Sequence, residues 1–327
     1  MAFFGATPTT NKSEGCGLNM ETVEFQAMGS KCRIVVDGGR PDLVEQARQM
    51  VDRLERAWTR FDHNSEVSAI NDNAGHFQLV QRETYTLVDH AVAAQRATSG
   101  RFNPLMLEQL LAHGYTSTWS NGHSEPSHLG VTPATYQPIE LLPEVNGVRV
   151  PVTGAFDPGG IGKGLCADMV TEFLISQGAT TSSVELGGDL RVHGVAWYGP
   201  SWRIGIVDPF NSDEEIGAFT PTAGAVATSS RLKKQWTHAE RSYHHLLDPR
   251  TGEPAVTDLV AVSCCAASAW WAEVAAKVIL ISGSNEAIQL FDELGVDGIA
   301  VTENADVIQT QDHRASARGR IYEGAVA

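Results

Sequence analysis

The feature that most restricts the fold of this chain is a glycine-rich stretch, AFDPGGIGKGLCAD, which spans residues 155–168 and opens an amphipathic helix. Its glycines allow backbone N–H groups to approach an oxyanion, and the helix N-terminus adds partial positive charge. The stretch is not a Walker motif, because Asp157 and Gly164 stand where Gly and Ser or Thr are needed, and Leu165 breaks the G-x-G-x-x-G pattern. Two interpretations stay open: a turn that binds a phosphorylated ligand, which we favour, and a tight turn that only feeds a packed helix.

Segments with helical and with strand periodicity follow one another along the chain without regular alternation. A 3.6-residue period of apolar residues predicts a long helix that begins at Pro41 and continues to Phe61. Further helices are predicted at 82–98, 104–113, 162–177, 269–281 and 285–294, and strands at 24–28, 32–37, 137–142, 148–152, 180–186, 190–194, 202–207, 225–228, 243–247, 259–265 and 298–301. Residues 116–136 are predicted to form a long surface loop. This irregular order favours an α+β fold with mostly antiparallel sheets over a doubly wound parallel sheet.

Charge and cysteine content exclude several classes of protein. The 24 basic and 39 acidic residues give a formal charge of −15, which is the wrong sign for a general nucleic-acid binder. The five cysteines include one adjacent pair and no C-x-x-C, which argues against a disulfide framework or a zinc site. No apolar stretch approaches the length needed to span a bilayer, and the N-terminus has no signal-peptide pattern. We therefore expect a cytoplasmic protein with no nucleic-acid or membrane partner.

Three shorter patterns carry less information by themselves. Gly187-Gly188-Asp189 lies between two predicted strands and is typical of a hairpin turn. His244 and His245 suggest a metal site, but neighbouring side chains on a strand point to opposite faces, and no third ligand follows by spacing. There is no G-x-S-x-G, which weakens a serine hydrolase.

The order of the motifs is far more specific than any one of them. The motifs follow one another in the order Met28–Ser30, Phe61 with Ser65 and Asn71, Gly100–Pro104, Asp157–Asp168, Glu185–Asp189, Ala227–Ser229 and His245–Pro254. This series resembles the FAD:protein FMN transferase (ApbE) family from about Met28 to Gly283.

The resemblance implies a two-lobed α+β fold with FAD in the cleft between the lobes. Residues 1–20 would be a flexible N-terminal segment, and residues 21–327 a single FAD-binding domain of two intertwined lobes. Members of the family use Mg2+ to transfer the FMN half of FAD to a threonine of a target protein, and they release AMP. His245 is the catalytic candidate, beside the pyrophosphate. Carried over by motif, the FAD-binding positions are Met28, Phe61, Arg101, Phe102, Asn103, Asp157, Gly160, Lys163, Ser229, His245, Leu247 and Lys277. Phe61 and Met28 suit flat rings, Asp157 can accept from adenine or ribose, and Lys163 can lie near phosphate.

The chain departs from the family pattern in the helix that normally supplies metal ligands. The pattern Ala-Asp-Ala-x-(Asp or small)-Thr is here Ala272–Lys277, with Glu273 for Asp and Lys277 for Thr. A protonated amine has no lone pair for a metal. At about 4 Å and an effective dielectric constant near 20, two unit charges interact by about 4 kcal/mol. The repulsion between an ammonium and a divalent ion is roughly twice as large. We therefore expect no metal here. Instead, we expect Lys277 to replace the ion beside the pyrophosphate, held by Glu273 on the same helix face. A lysine that only reaches the surface is the alternative.

Two smaller departures accompany this one: Asn103 stands where the family usually has Asp, and Ser230 where it usually has Gly. These departures favour a protein that binds FAD non-covalently, for storage, sequestration or delivery, with little or no transferase activity. Its partners would be FAD and a flavoprotein recipient. The alternative is a working Mg2+-dependent FMN transferase, with Glu273 and backbone carbonyls such as that of Gly160 on the metal. A flavin-dependent oxidoreductase is the third hypothesis.

Overall fold

A computed structural model describes residues 20–116, 137–197, 199–232, 235–238 and 241–310 of the chain. The predicted loose N-terminus and nearly all of the predicted 116–136 loop lie outside these residues. In the described part there are seven α-helices: α1 Leu43–Trp58, α2 Glu66–Asp72, α3 Arg82–Ala97, α4 Leu107–Ala112, α5 Gly162–Ser176, α6 Ala269–Ser282 and α7 Ser284–Glu293. None of them has the length and apolar character that crossing a membrane requires.

Fifteen strands complete the described secondary structure. They are β1 Glu21–Ala27, β2 Ser30–Gly38, β3 Gln78–Leu79, β4 Glu140–Leu142, β5 Gly147–Arg149, β6 Ala179–Leu186, β7 Asp189–His193, β8 Ile204–Val207, β9 Glu215–Phe219, β10 Gly224–Ser230, β11 Gln235–His238, β12 Arg241–His244, β13 Leu259–Ala266, β14 Asp297–Thr302 and β15 Val307–Gln309. Eight of them form one sheet in the order β1-β2-β6-β7-β10-β13-β14-β15, and every neighbouring pair is antiparallel. The predicted α+β fold with mostly antiparallel sheets is confirmed.

The middle of the large sheet is covered on both faces. All eight residues of β13 are buried. Because neighbouring side chains on a strand point in opposite directions, Cys264 packs in the cluster formed with α6 and α7, whereas Cys265 packs in the cluster formed with β8 and β9. The adjacent cysteines are therefore core residues of two different layers.

Some boundaries and elements differ from the prediction. The first helix begins at Leu43, after Asp42 in the left-handed region (φ 70°), and it ends at Trp58, short of Phe61. Helix α2 was not predicted, although the Ser65 side chain caps it by accepting from the Ser68 N–H at 3.0 Å. The strands β3, β9, β11 and β15 were not predicted either. The shortest of these have only two or three residues, too few to show a two-residue period.

Asp168 joins α5 to the start of α6. Its two carboxylate oxygens accept from the Ala269 and Trp270 N–H groups, each at 2.9 Å, so a side chain 101 residues away caps α6. The Arg191 Nε lies 3.4 Å from the same carboxylate. Burial raises the pKa of Asp168 to about 6, against the opposing effects of Arg191 and of the two N–H donors. A helix N-terminus left without this acceptor would hold buried, unpaired donors.

We expect Asp168→Ala to lower the free energy of unfolding by about 3 kcal/mol, because two buried N–H groups lose a charged acceptor. Urea denaturation at pH 8, where the carboxylate is ionised, measures the change. The matched control is Ser65→Ala, which removes a cap made within one helix and is expected to cost about 1 kcal/mol. Equal losses in the two variants would contradict the bridging role of Asp168.

Candidate functional site

A small cleft lies where four segments of the chain meet. The segments are the turn after α3 with the start of α4, the glycine-rich stretch, the residues after β12 and the middle of α6. The lining residues are Arg101, Asn103, Met106, Leu110, Asp157, Gly159, His245, Leu247, Pro249, Lys277 and Ile281. Of the predicted site residues, the structure thus brings together Arg101, Asn103, Asp157, His245, Leu247 and Lys277.

Backbone hydrogen bonds hold the first two segments together. The Asp157 N–H donates to the Pro104 carbonyl at 2.8 Å, and the Leu107 N–H donates to the Ala155 carbonyl at 3.2 Å. Asn71 pairs with Phe156 in both directions, accepting from its N–H at 2.7 Å and donating to its carbonyl at 2.9 Å. Asn71 therefore fixes the backbone of the glycine-rich stretch next to the cleft.

Asn103 is held by its own neighbours. Its side-chain oxygen accepts from the Gln95 amide at 3.0 Å and from the Leu105 N–H at 2.9 Å. With the oxygen engaged twice, the amide nitrogen is the group of Asn103 that remains to donate. Arg101 at the edge of the cleft pairs with Glu286 of α7 at 2.5 Å.

Lys277 places its ammonium on the glycine-rich turn. The Nζ donates to the Gly159 carbonyl at 2.9 Å and lies 5.6 Å from the centroid of the buried Phe102 ring. Gly160 has φ 101°, and a Cβ built on it would lie 2.7 Å from Lys277 Cδ and 2.8 Å from Nζ. Burial lowers the pKa of Lys277, while Asp157 and Glu273 act in the opposite direction. Gly160 is thus favoured for its backbone conformation, and a side chain there would displace the end of the Lys277 side chain.

Lys163 is not among the residues that line the cleft; its half-buried side chain forms an ion cluster with the buried carboxylates of Asp189 and Glu273. Its Nζ is bonded to Asp189 and donates to Glu273 Oε1 at 2.8 Å. Burial opposes the charge on Lys163, but the two carboxylates raise its pKa above the usual value. That Lys163 lies near phosphate stays a prediction, and in this structure its ammonium is paired with two carboxylates.

Glu273 is also placed differently from the prediction. Its Oε2 accepts from the Gly164 N–H at 2.8 Å, so both of its oxygens are used at the start of α5. The expected contact in which Glu273 holds Lys277 is not made. The two residues are four apart on α6, but their side chains bind different partners. Glu273 accepts from Lys163 and from the Gly164 N–H, which has no acceptor within α5, whereas Lys277 donates to the Gly159 carbonyl.

The residues around α6 do not fit a divalent metal in the arrangement that the family resemblance implies. In the described part of the chain, no group of three or more His, Cys, Asp and Glu side chains is arranged to hold a metal ion. The Glu273 carboxylate is engaged by Lys163 and Gly164, and the Lys277 ammonium already lies on the Gly159 carbonyl. A divalent ion at these oxygens would have to displace a cation from each of them.

Phe61 lies outside the cleft lining but is connected to it. The residue is 40% exposed. The Arg60 guanidinium lies 4.2 Å from the ring centroid, and the Arg60 Nε lies 3.1 Å from Asp157 Oδ1. Arg60 was not predicted from the sequence, because no motif of the resemblance includes it.

Met28 and Ser229 also lie outside the cleft lining. Met28 forms the turn between β1 and β2 in the left-handed region (φ 51°), where its N–H donates to Glu55 Oε1 at 2.5 Å. Ser229 lies on β10, where it pairs with Val262 of the neighbouring strand β13. Both residues have a structural role in a turn or a sheet.

The lining residues that sequence reasoning missed are mainly apolar. Met106, Leu110 and the predicted Leu247 form one buried cluster against the floor of the cleft. Pro249 and Ile281 complete the apolar lining. Such residues give no motif signal of their own, since their types suit any core. The Gly187-Gly188 turn between β6 and β7, by contrast, was read correctly as a hairpin, and it delivers Asp189 to Lys163.

Comparison with known proteins relates the chain to one family. The model of the ApbE family matches residues 28–300. An FAD:protein FMN transferase from Klebsiella pneumoniae (strain 342) is 27% identical over 297 residues, which cover 88% of this chain and 90% of that protein. An FAD:protein FMN transferase from Treponema pallidum (strain Nichols) is 25% identical over 321 residues, covering 88% of this chain and 86% of that protein. The crystal structure of the ApbE protein from Thermotoga maritima superposes with a TM-score of 0.81 at 27% identity, covering 89% of this chain and 97% of that one.

The ion cluster yields a prediction on pH and stability. Burial raises the pKa of Asp189 above its usual value, with Lys163 opposing and Glu273 adding to the rise. The folded protein therefore holds a proton that the unfolded chain has released, so this group's contribution to stability decreases as pH rises from the unfolded-state pKa to the higher folded-state pKa. We expect Asp189→Asn to flatten the fall in the free energy of unfolding across this window, by at most about 1.4 kcal/mol per pH unit.

Urea denaturation of both proteins at half-unit steps from pH 4.5 to 8 measures the difference. Asp168, which also titrates high, is present in both proteins and cancels in the comparison. Parallel curves for the two proteins would show that Asp189 titrates at an ordinary pKa in the folded state.

Proposed function

The chain belongs to the ApbE family, and on that basis we propose that it is an enzyme that transfers the FMN half of FAD to a hydroxyl group, in particular a threonine, of a flavoprotein acceptor. The observation that supports this most is the composition of the cleft, where Arg101, Lys277 and His245 gather beside an apolar floor. FAD combines two flat ring systems with an anionic linkage, and this lining offers partners for both.

The expectation of a storage protein with little or no transferase activity is wrong. It rested on the departures from the family pattern at Glu273, Lys277, Asn103 and Ser230, whereas relatives that align over most of their length with this chain are FAD:protein FMN transferases. The error lay in assuming that an altered metal site abolishes transfer at phosphorus while FAD binding is kept.

The proposed reaction is a displacement at phosphorus. The acceptor hydroxyl oxygen bonds to the phosphorus of the FMN half as the bond from that phosphorus to the bridging oxygen breaks. The electron pair and the bridging oxygen leave with AMP, the hydroxyl proton passes to solvent, and nothing is oxidised or reduced. In such displacements the protein acts mainly by positioning groups and stabilising charge.

The residues of the cleft divide these tasks by chemistry. Lys277 and Arg101 offset negative charge on the pyrophosphate as it moves to AMP, and His245 donates a hydrogen bond there. Leu247 and the apolar residues around it exclude water from one side of the bound dinucleotide. The Asn103 amide donates to an acceptor on the ligand.

A flavinylation assay tests the proposed function. The purified protein is incubated with FAD and an acceptor flavoprotein domain, in parallel with MgCl2 and with EDTA, and the acceptor is analysed by in-gel flavin fluorescence and intact mass. We expect the mass of the acceptor to increase by one covalently bound FMN and an equal amount of AMP to be released. The control acceptor has its threonine replaced by alanine. An unlabelled acceptor and intact FAD in both arms would overturn the proposal.

A second prediction concerns Lys277. We expect Lys277→Ala to weaken FAD binding by about tenfold, because a single favourable charge pair near a protein surface is worth a few kcal/mol before desolvation is offset. Isothermal titration with FAD measures the affinity. Lys31→Ala, at an exposed position of β2, is the control for the loss of one positive charge. An unchanged affinity for FAD would mean that the ammonium serves only the Gly159 carbonyl.

A further inference from the structure

Arg60 is a buried cation that connects three separate parts of the chain. It follows α1, and its side chain is only 6% exposed. The Nε lies 3.1 Å from Asp157 Oδ1, and the Nη2 donates to the Tyr115 carbonyl at 2.9 Å. The flat guanidinium lies 4.2 Å from the Phe61 ring centroid and 4.7 Å from that of Tyr115.

These contacts fix the orientation of Asp157. One oxygen of its carboxylate pairs with Arg60, and the other accepts from the Gly159 N–H at 3.1 Å. Asp157 lines the cleft, and Gly159 is also the residue that holds the Lys277 ammonium. The rotamer of Asp157, and with it the direction of its remaining lone pairs, therefore depends on Arg60.

The same guanidinium also supports an aromatic ring at the surface. Phe61 packs edge to face against Tyr115, with centroids 6.3 Å apart and an interplanar angle of 73°. Although Arg60 covers one side of the Phe61 ring, the residue keeps 40% exposure. A large apolar ring held in place at the surface beside a polar cleft is suited to contact with a flat aromatic ligand.

We propose that Arg60 is a positioning residue for FAD, one that presents Phe61 and Asp157 together: the ring packs against a flat ring of the dinucleotide and the carboxylate accepts its hydrogen bonds. This inference rests on the proposed function, because FAD is the ligand in both. Arg60 itself touches only protein. A planar group with several donors in a fixed fork is needed to stack on a ring and bind a carboxylate at once, so lysine is not equivalent.

The test compares Arg60→Lys and Arg60→Met with a matched control, Arg149→Met. Arg149 also pairs with a carboxylate, that of Glu140, and its guanidinium lies 4.6 Å from the Phe77 ring centroid, but it does not line the cleft. In flavinylation assays at varied FAD, we expect KM for FAD to rise about tenfold in both Arg60 variants, with kcat at saturating FAD within about twofold of wild type. Arg149→Met should leave both constants unchanged.

Two further measurements separate positioning from a general structural role. The visible circular dichroism of bound FAD should change in Arg60→Lys and not in Arg149→Met. Phe61→Leu should raise KM in the same way, and the double variant Arg60→Lys with Phe61→Leu should be less impaired than the product of the single effects, because both remove the same contact. Phe61→Leu also keeps the test decisive if the Arg60 variants do not fold.

The outcomes distinguish this inference from the proposed function. A wild-type protein that labels its acceptor while Arg60→Lys keeps the wild-type KM overturns the inference alone. Fully independent effects of Arg60→Lys and Phe61→Leu overturn it as well. A wild-type protein that neither binds FAD nor labels an acceptor overturns both.

Discussion

The close crossing of α5 and α6 is the contact on which the rest of the site depends. A Cβ on Gly164 would lie 2.4 Å from the Ala269 carbonyl oxygen, so the two backbones approach without side chains between them. Two carboxylates, one from each helix, then join the helices. Glu273 of α6 accepts from the Gly164 N–H, and Asp168 of α5 accepts from the first N–H groups of α6. Each helix thus supplies the acceptor that the other's N-terminus lacks.

This crossing explains how an acidic protein can offer cations to the anionic ligand proposed above. The formal charge is −15, so the overall field does not attract phosphate. The positive groups are placed locally instead. Because Glu273 is engaged at α5, Lys277 one turn later is directed to the glycine-rich turn, and Arg60 holds the other end of that turn through Asp157. The charge of the cleft therefore depends on which carboxylates are already paired with cations or N–H groups outside it.

Sequence reasoning predicted the elements whose signals are local. The helix predicted at 162–177 is found at Gly162–Ser176, because glycines mark both of its ends; it is buried on most sides rather than amphipathic as predicted. The apolar run of β13, all eight residues of which are buried, was also predicted as a strand. The motifs also placed Asp157, His245 and Lys277 at one cleft. The motifs did not predict which side chains and backbone groups pair with each other. Lys163 finds Glu273 across 110 residues, and Arg60 finds the Tyr115 carbonyl across 55, and no pattern of spacing encodes such contacts.

The wrong prediction about activity came from assigning a residue's role from its type and position in a motif, with its partners unknown. The sequence alone does not show that Lys163 pairs with two carboxylates or that Lys277 contacts a backbone carbonyl. The relatives that align with most of this chain are FAD:protein FMN transferases. A substitution changes the charge at one point, whereas transfer at phosphorus depends on the field of all the fixed groups around the reacting atoms. The ion pairs decide which charged groups of the cleft remain available to a ligand, and the proposed function depends on those groups.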